Sequence, residues 1–169
     1  HLNIMGGTHA TASREFLLPN AFNAKHTKML KDAVNIPVFI GHNIFSPEDA
    51  EKMLAEGNAD FVALGRSQLA EPAWAKKAKE GRASDIKPCI NCLIGCIDRG
   101  MLSHTPIHCT VNPSLYRFEC KPVEKAETRK QVAVVGAGPA GCEAALTASK
   151  RGHQVTIYEK RCIGGAMIE

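Results

Sequence analysis

The sequence predicts an α/β fold in which parallel strands occur in two separate segments. Short apolar runs alternate with helical patterns across residues 1–83, and a strand, a helix and a second strand follow between residues 131 and 159. Five of the seven cysteines lie between these segments, and four of the five are closely grouped. Because alternating strands and helices build parallel sheets, we expect two α/β units with a cysteine segment between them.

The first segment contains a strand, a helix and a strand in close succession. Residues 36–40 and 61–64 are predicted as buried strands, and residues 1–5 as the end of another. For the intervening helix, Ser46 is the expected N-cap, Pro47 the first residue and Gly57 the residue that ends it. Its expected apolar face is Ala50, Met53 and Leu54. This order indicates a parallel crossover unit.

Polar residues and glycines follow both strands where the carboxyl edge of a sheet would lie. Gly41, His42 and Asn43 follow the first strand, and Gly65 and Arg66 follow the second. In a TIM barrel this edge carries the active site and commonly a phosphate. Glycine lets backbone N–H groups approach an anion, and an arginine can bind its oxygens with two N–H groups. The alternative is a simple turn, with the arginine paired to a surface carboxylate.

Four cysteines have the spacing C-x2-C-x3-C-x12-C, and three of them fall within eight residues. This pattern is typical of an iron–sulfur cluster ligated by thiolates. Zinc is the alternative, although zinc ribbons usually pair two C-x-x-C motifs. The predicted ligands are Cys89, Cys92, Cys96 and Cys109. Cys120, Cys142 and Cys162 have no such grouping and are expected as small buried residues or exposed thiols.

A glycine-rich turn follows the predicted strand 131–135. The motif G-x-G-x-x-G opens a helix running to about Lys150, and a strand at 154–159 ends in an acidic residue, as in a dinucleotide-binding βαβ unit. A fortuitous glycine turn is the alternative, and the choice between FAD and a nicotinamide dinucleotide stays open. The predicted contacts are Gly136, Gly138, Pro139, Ala140, Gly141, Glu159, Lys160, Gly164 and Gly165.

Composition argues against several classes of protein. The hydrophobic content of 44%, the charged content of 22% and the lack of a long apolar run predict a soluble globular protein without a membrane segment. The net charge of +4 is dispersed, which argues against a nucleic-acid partner. An odd number of cysteines without a secretory signal favours a reducing, cytoplasmic setting over disulfides. A homo-oligomer is compatible with these residues.

The order of these motifs resembles the iron–sulfur branch of the Old Yellow Enzyme (NADH:flavin oxidoreductase) superfamily. That branch includes 2,4-dienoyl-CoA reductase, 2-enoate reductase and trimethylamine dehydrogenase. The resemblance is most specific at residues 57–66, at residues 86–92 with Cys96, at residues 109–113 and at residues 135–141.

The resemblance implies three cofactors and a nicotinamide substrate. FMN would bind at residues 41–43 with Gly65 and Arg66, a 4Fe-4S cluster at the four cysteines, and FAD at the glycine turn. Electrons would pass from NAD(P)H to FAD, singly through the cluster to FMN, and as hydride to an activated carbon–carbon double bond of a small molecule. His9 matches an active-site histidine that could protonate or polarise this substrate, and a histidine without a chemical role is the alternative.

The expected organisation is an interior piece of a longer protein. Residues 1–83 would be the C-terminal part of an FMN-binding TIM barrel, 84–118 the cluster segment, 119–130 a linker and 131–169 the start of a Rossmann-like FAD-binding domain. Such a piece is expected to be inactive alone. The alternatives are an amine dehydrogenase of the trimethylamine type and a non-catalytic, metal-binding electron-transfer module.

Overall fold

The computed structural model describes residues 2–4, 22–115 and 123–165. The chain divides into two compact units, His1–Arg117 and Phe118–Glu169. Each unit contains a parallel sheet with helices, so the predicted α/β class is confirmed.

The first unit is built on a three-stranded parallel sheet in the order β1, β2, β3. The strands are β1 (Leu2–Ile4), β2 (Val38–Ile40) and β3 (Phe61–Val62). Asn3 is opposite Phe39, and Phe39 is opposite Phe61. The helices are α1 (Ala24–Ala33), α2 (Pro47–Ala55), α3 (Arg66–Ala70) and α4 (Trp74–Lys79).

Helix α2 begins where the sequence predicts. The Ser46 hydroxyl accepts a hydrogen bond from the Asp49 N–H at 3.0 Å, and Gly57 follows the helix with a φ of +66°. Ala50 and Met53 are buried in the core with residues that include Ile40, Trp74 and Ile86. The expectation for Leu54 is wrong, because 37% of this residue is exposed.

The predicted strands 36–40 and 61–64 are shorter than expected. Val38 and Ile40 are completely buried, but Ile36 precedes β2 and is 49% exposed. Phe61 opens β3 and is 50% exposed, although it stacks on Phe39 with ring centroids 4.8 Å apart. The parallel strand–helix–strand unit itself is confirmed.

The cysteine segment contains two short helical stretches. A short 3₁₀-helix covers Ala83–Asp85, and a π-helix covers Ile94–Leu102. Cys96 therefore lies within a helix, whereas Cys89 and Cys92 precede it. The residue before this helix, Leu93, has a left-handed backbone with a φ of +61°.

The second unit contains the predicted strand–helix–strand arrangement. Strand β4 (Gln131–Val135) pairs in parallel with β5 (Gln154–Tyr158), and helix α5 (Pro139–Lys150) connects them. Glu159 immediately follows β5 instead of belonging to it. Within the described residues, no helix has both the length and the apolar character that a membrane crossing requires.

Candidate functional site

Four cysteine side chains line one small cavity in the first unit. Cys89, Cys92, Cys96 and Cys109 are all partly buried and share this cavity with Arg66. The first two come from the irregular segment after α4, Cys96 from the π-helix, and Cys109 from the chain that follows it. The fold thus brings together cysteines that are up to 20 residues apart in sequence.

The same side chains do not converge in the manner of ligands to one ion. In the ranges that the structure describes, no group of three or more His, Cys, Asp or Glu side chains is arranged to hold a metal ion. The assignment of the four cysteines as metal ligands therefore stays a prediction, supported by their common cavity.

Two of these thiols have shifted acidities with different causes. Burial raises the pKa of the Cys92 thiol, but hydrogen bonds from the Thr110 hydroxyl and from backbone N–H groups outweigh it, so the net shift is downward. The Cys92 sulfur lies 3.2 Å from that hydroxyl oxygen. Burial raises the pKa of Cys96, and hydrogen bonding to Ile97 and the charge of Arg66 oppose this rise only in part.

Gly95 allows the π-helix to approach the chain that carries Cys109. The His108 N–H donates to the Gly95 carbonyl at 2.8 Å. A Cβ atom at Gly95 would lie 2.4 Å from the His108 carbonyl oxygen, which is backbone and cannot rotate away. The close approach of these two backbones therefore requires glycine at this position.

Arg66 lies at the carboxyl edge of the sheet and reaches toward the cysteines. Its guanidinium donates to the side-chain oxygens of Asn43 and Asn91, and its Cζ atom lies 5.3 Å from the centre of the Phe45 ring. Burial lowers the pKa of Arg66, and interactions with Cys89, Cys96 and Cys92 act in the opposite direction. The structure therefore connects the edge predicted to hold a phosphate with the cysteine cavity.

The other predicted residues of this edge lie in the turns after β2 and before α3. His42 and Asn43 both have left-handed backbones, with φ values of +71° and +50°. A Cβ atom at Gly65 would meet nothing within 4 Å, whereas one at Gly41 would contact Ala63 at 3.6 Å. The backbone at Gly65 is thus the more accessible of the two glycines.

Two buried polar residues anchor the cysteine segment to helices α3 and α4. Asn112 donates to the Leu69 carbonyl at 2.8 Å. The Glu71 carboxylate accepts from the Lys77 ammonium at 2.6 Å and from the backbone N–H of Lys87 at 3.5 Å. Burial raises the pKa of Glu71, but the hydrogen bonds from Lys77, Ala73 and Lys87 outweigh it and the pKa is lowered overall.

The glycine turn of the second unit is tightly closed on itself. A Cβ atom at Gly141 would lie 1.9 Å from the Gly136 carbonyl oxygen, whereas one at Gly138 would meet nothing within 4 Å. Gly136 has a φ of +96°, and its N–H donates to the Tyr158 carbonyl at 2.8 Å. Pro139 and Ala140 form the first turn of α5.

Glu159 reaches this turn through its carboxylate. One oxygen accepts from the Ala137 N–H at 2.7 Å and the other from the Arg161 N–H at 2.9 Å. These bonds hold the pKa of Glu159 below its usual range. The neighbouring Lys160 is exposed.

The two later glycines also pack against the turn. The Gly164 N–H donates to the Ala137 carbonyl at 2.8 Å. A Cβ atom at Gly165 would lie 3.3 Å from the Cα atom of Gly138. The structure thus gathers all of the glycines named in the second unit around one turn.

Sequence reasoning missed several residues that shape the cysteine site, and it named one that the structure does not describe. Asn91, Asn112 and Glu71 have no motif that assigns them a role, although the position of Asn91 between two cysteines is a usable signal. His9 lies outside the described residues. Cys142 is partly buried and Cys162 is exposed, and Cys120 is outside the described residues.

Comparison with known proteins identifies two families along the chain. Residues 9–85 match the NADH:flavin oxidoreductase / NADH oxidase family, and residues 119–169 match the pyridine nucleotide-disulphide oxidoreductase family. An NADH oxidase of Thermoanaerobacter brockii is 50% identical over 141 residues, which are 83% of this chain and 22% of that protein. A cinnamate reductase of Clostridium sporogenes is 35% identical over 144 residues, 85% of this chain and 22% of that protein.

A solved structure has the same fold. The histamine dehydrogenase of Rhizobium sp. 4-9 is 29% identical and superposes with a TM-score of 0.84, covering 98% of this chain and 25% of that protein. The chain thus spans about a quarter of the length of these relatives. Residues 9–85 are thus similar to the NADH:flavin oxidoreductase / NADH oxidase family, and residues 119–169 to the pyridine nucleotide-disulphide oxidoreductase family.

Proposed function

We propose that the protein is a cytoplasmic NAD(P)H-dependent flavin oxidoreductase that reduces an activated carbon–carbon double bond of a small molecule. Its cofactors are FMN, FAD and a 4Fe-4S cluster. Residues 1–83 contribute to an FMN-binding TIM barrel, 84–118 to the cluster segment and 131–169 to the FAD domain, with residues 119–130 as the linker. The observation that carries this proposal is the common cavity of four cysteines beside Arg66.

The donor set at this cavity fits an iron–sulfur cluster better than zinc. The four thiols share one cavity, so they form a single donor set. Three of these cysteines fall within eight residues and the fourth is separate, whereas a zinc ribbon usually pairs two C-x-x-C motifs. Four thiolates with this spacing are typical ligands of a cubane cluster. Cys89, Cys92, Cys96 and Cys109 would hold it.

The flavin phosphate of FMN would lie against residues 41–43, Gly65 and Arg66. The open space at Gly65 supports this placement, because it lets a ligand approach the backbone. His42 and Asn43 have left-handed backbones and directly follow β2 and Gly41, at the same edge of the sheet. His9 would protonate or polarise the substrate.

The dinucleotide turn would hold FAD. Gly138 leaves room for the pyrophosphate, while Gly141 and Gly136 allow close packing of α5 on the turn. Glu159 would accept from a ribose hydroxyl, with Pro139, Ala140, Lys160, Gly164 and Gly165 around the same dinucleotide. When bound, the flavins supply hydride chemistry and the cluster supplies one-electron transfer.

The first test is the cofactor content of the full protein purified without oxygen. The proposal predicts about four iron and four sulfide atoms with one FMN and one FAD per chain, since one cluster requires four of each. It also predicts NAD(P)H oxidation that depends on an unsaturated acid such as cinnamate. Zinc in place of iron, or a protein that reconstitutes without FMN, would contradict it.

A second candidate is an amine dehydrogenase, favoured by the similarity to histamine dehydrogenase across 98% of the chain. The two functions differ in the direction of electron flow. An amine dehydrogenase would reduce an artificial electron acceptor in the presence of an amine and without NAD(P)H. Activity with cinnamate and NADH, but none with amines and an acceptor, would select the reductase.

A further inference from the structure

Arg66 has an unusual position relative to the four cysteines. Among the described residues that line their cavity, it is the one with a permanent charge, because the others are apolar, cysteine, histidine or threonine. It comes from the sheet edge at the start of α3 and not from the cysteine segment itself. The charge next to the thiols is therefore supplied by a different part of the fold.

The guanidinium is held at this position from three directions. Asn43 and Asn91 accept from its two terminal nitrogens, and the Phe45 ring lies beneath it. Asn91 lies between Cys89 and Cys92 and has a φ of +54°. Arg66 is thus connected, through a side-chain hydrogen bond, to the segment that carries both cysteines.

The position of Arg66 gives its charge electrostatic importance. Arg66 is partly buried and lines the same cavity as Cys89, Cys92 and Cys96. In the interior of a protein electrostatic interactions are stronger than in water, because the effective dielectric constant is lower. A fixed cation beside a redox group favours the state that carries more negative charge.

We propose that Arg66 is a positioning residue that sets the reduction potential of the cysteine-ligated cluster, with Asn91 holding its guanidinium in place. The inference rests on the proposed function, because it requires the cluster. Reduction adds one electron, supplied by NAD(P)H through a flavin, and no bond is formed or broken. The added negative charge is stabilised by the guanidinium, so the potential is higher than it would be without Arg66.

The test is a redox titration of the full protein purified without oxygen, followed by electron paramagnetic resonance of the reduced cluster. Arg66→Gln removes the charge, and Asn91→Gly removes the hydrogen-bond acceptor while tolerating the left-handed backbone. Arg82→Gln is the matched control, because Arg82 pairs with Glu80 and Asp85 at the surface. Iron, sulfide and FMN contents are measured for every variant, because Arg66 is also proposed to bind the FMN phosphate, and potentials are compared only between proteins with equal contents.

We expect Arg66→Gln to lower the ratio of reduced to oxidised cluster at a fixed potential about tenfold, equivalent to about 59 mV for a one-electron couple. Asn91→Gly should shift the ratio in the same direction by less, and Arg82→Gln should leave it unchanged. The inference would be overturned if the Arg66→Gln protein had an intact cluster and the same ratio of reduced to oxidised cluster as the parent protein.

If the Arg66→Gln protein loses its iron, its cluster potential cannot be measured. The potential of the Asn91→Gly protein then decides whether Arg66 sets the cluster potential. A lower potential in that variant supports the inference, and the parent potential overturns it. Absence of iron and sulfide from the unmodified protein is a different result, because it contradicts the proposed function itself.

Discussion

At the scale of single residues, Gly141 and Gly138 differ sharply although they lie in the same turn. A methyl group at Gly141 would collide with the Gly136 carbonyl oxygen, whereas one at Gly138 would enter open space. The first glycine is therefore required by the fold, and the second is free to serve a ligand.

This contrast predicts separable effects of two alanine substitutions in the full protein. Gly141→Ala should destabilise the FAD domain by about 1–3 kcal/mol or more, because backbone atoms must move apart. Gly138→Ala should leave the midpoint of thermal unfolding of the flavin-free protein nearly unchanged but reduce the FAD content after reconstitution. Full FAD content in Gly138→Ala would show that the pyrophosphate does not pass at this glycine.

Gly95 and Gly100 provide a second pair, both within the π-helix beside the cysteine cavity. A Cβ atom at Gly95 would meet the His108 backbone at 2.4 Å, whereas one at Gly100 would meet a methyl group of the Ile107 side chain at 2.8 Å. We expect Gly95→Ala to lose most of its iron during anaerobic purification, because Cys96 and Cys109 are forced apart. Gly100→Ala should retain more of it, since a side-chain methyl group of Ile107 can shift more readily than the backbone of His108. Equal iron contents would contradict this account.

The sequence predicts the glycine turn better than it predicts the contacts around the cysteines. The motif around Gly136 and Gly141 predicts a tight turn, because dinucleotide binding requires glycines at a fixed spacing along the chain. The roles of Asn91 and Asn112 depend on partners 25 and 43 residues away in sequence. No local pattern encodes such contacts, and they emerge only once the segments pack together.

At the scale of elements, Asp60 joins three parts of the first unit. One carboxylate oxygen accepts from the Val38 N–H at 2.9 Å, at the start of β2, and the other pairs with Lys31 of α1. Asp60 itself directly precedes β3. Hydrogen bonding to Lys31 and to Val38 lowers the pKa of this carboxyl.

The lowered pKa predicts the pH range in which Asp60 stabilises the fold. The contribution is fully present above the unfolded-state pKa of about 3.9 and is lost as the pH falls through the lower, folded-state pKa. Asp60→Asn should therefore unfold at lower denaturant concentration than the parent at pH 7, and the difference should shrink as the pH falls below about 3.9 and through the lower, folded-state pKa. Asp32→Asn, at an exposed pair in α1, should have little effect at any pH. A difference for Asp60→Asn that persists unchanged near pH 3 would contradict the ion-pair explanation.

The elements themselves are predicted with uneven accuracy for a physical reason. The strand at residues 131–135 agrees with β4 at both ends, because a turn glycine directly follows its apolar run. The predicted strand 36–40 loses its first two residues, since the apolar side chain of Ile36 lies at the surface. Leu54 likewise has the spacing of a core residue but packs at the exposed edge of its helix. Hydrophobicity alone does not distinguish such positions from the core.

At the scale of the whole molecule, several apolar residues on the strands of both units are unusually exposed. The exposed fractions are 87% for Val135, 60% for Tyr158 and 50% for Phe61. The sheet of the second unit has two strands and that of the first has three among the described residues. Two-stranded sheets are marginally stable in water unless further structure packs against them. Exposed apolar strands of this kind are typical of surfaces that other structure covers.

This exposure predicts how residues 1–169 behave when they are produced without further sequence. We expect no NAD(P)H oxidation with added FMN and FAD, strong binding of an apolar fluorescent dye, and a broad thermal transition, because the strand faces lack a covering layer. The full protein, measured in parallel, should bind little dye and unfold sharply. A sharp, reversible transition with low dye binding for residues 1–169 would show that the two small sheets are stable alone. The exposed apolar strands would then need a different explanation, such as a surface for another protein.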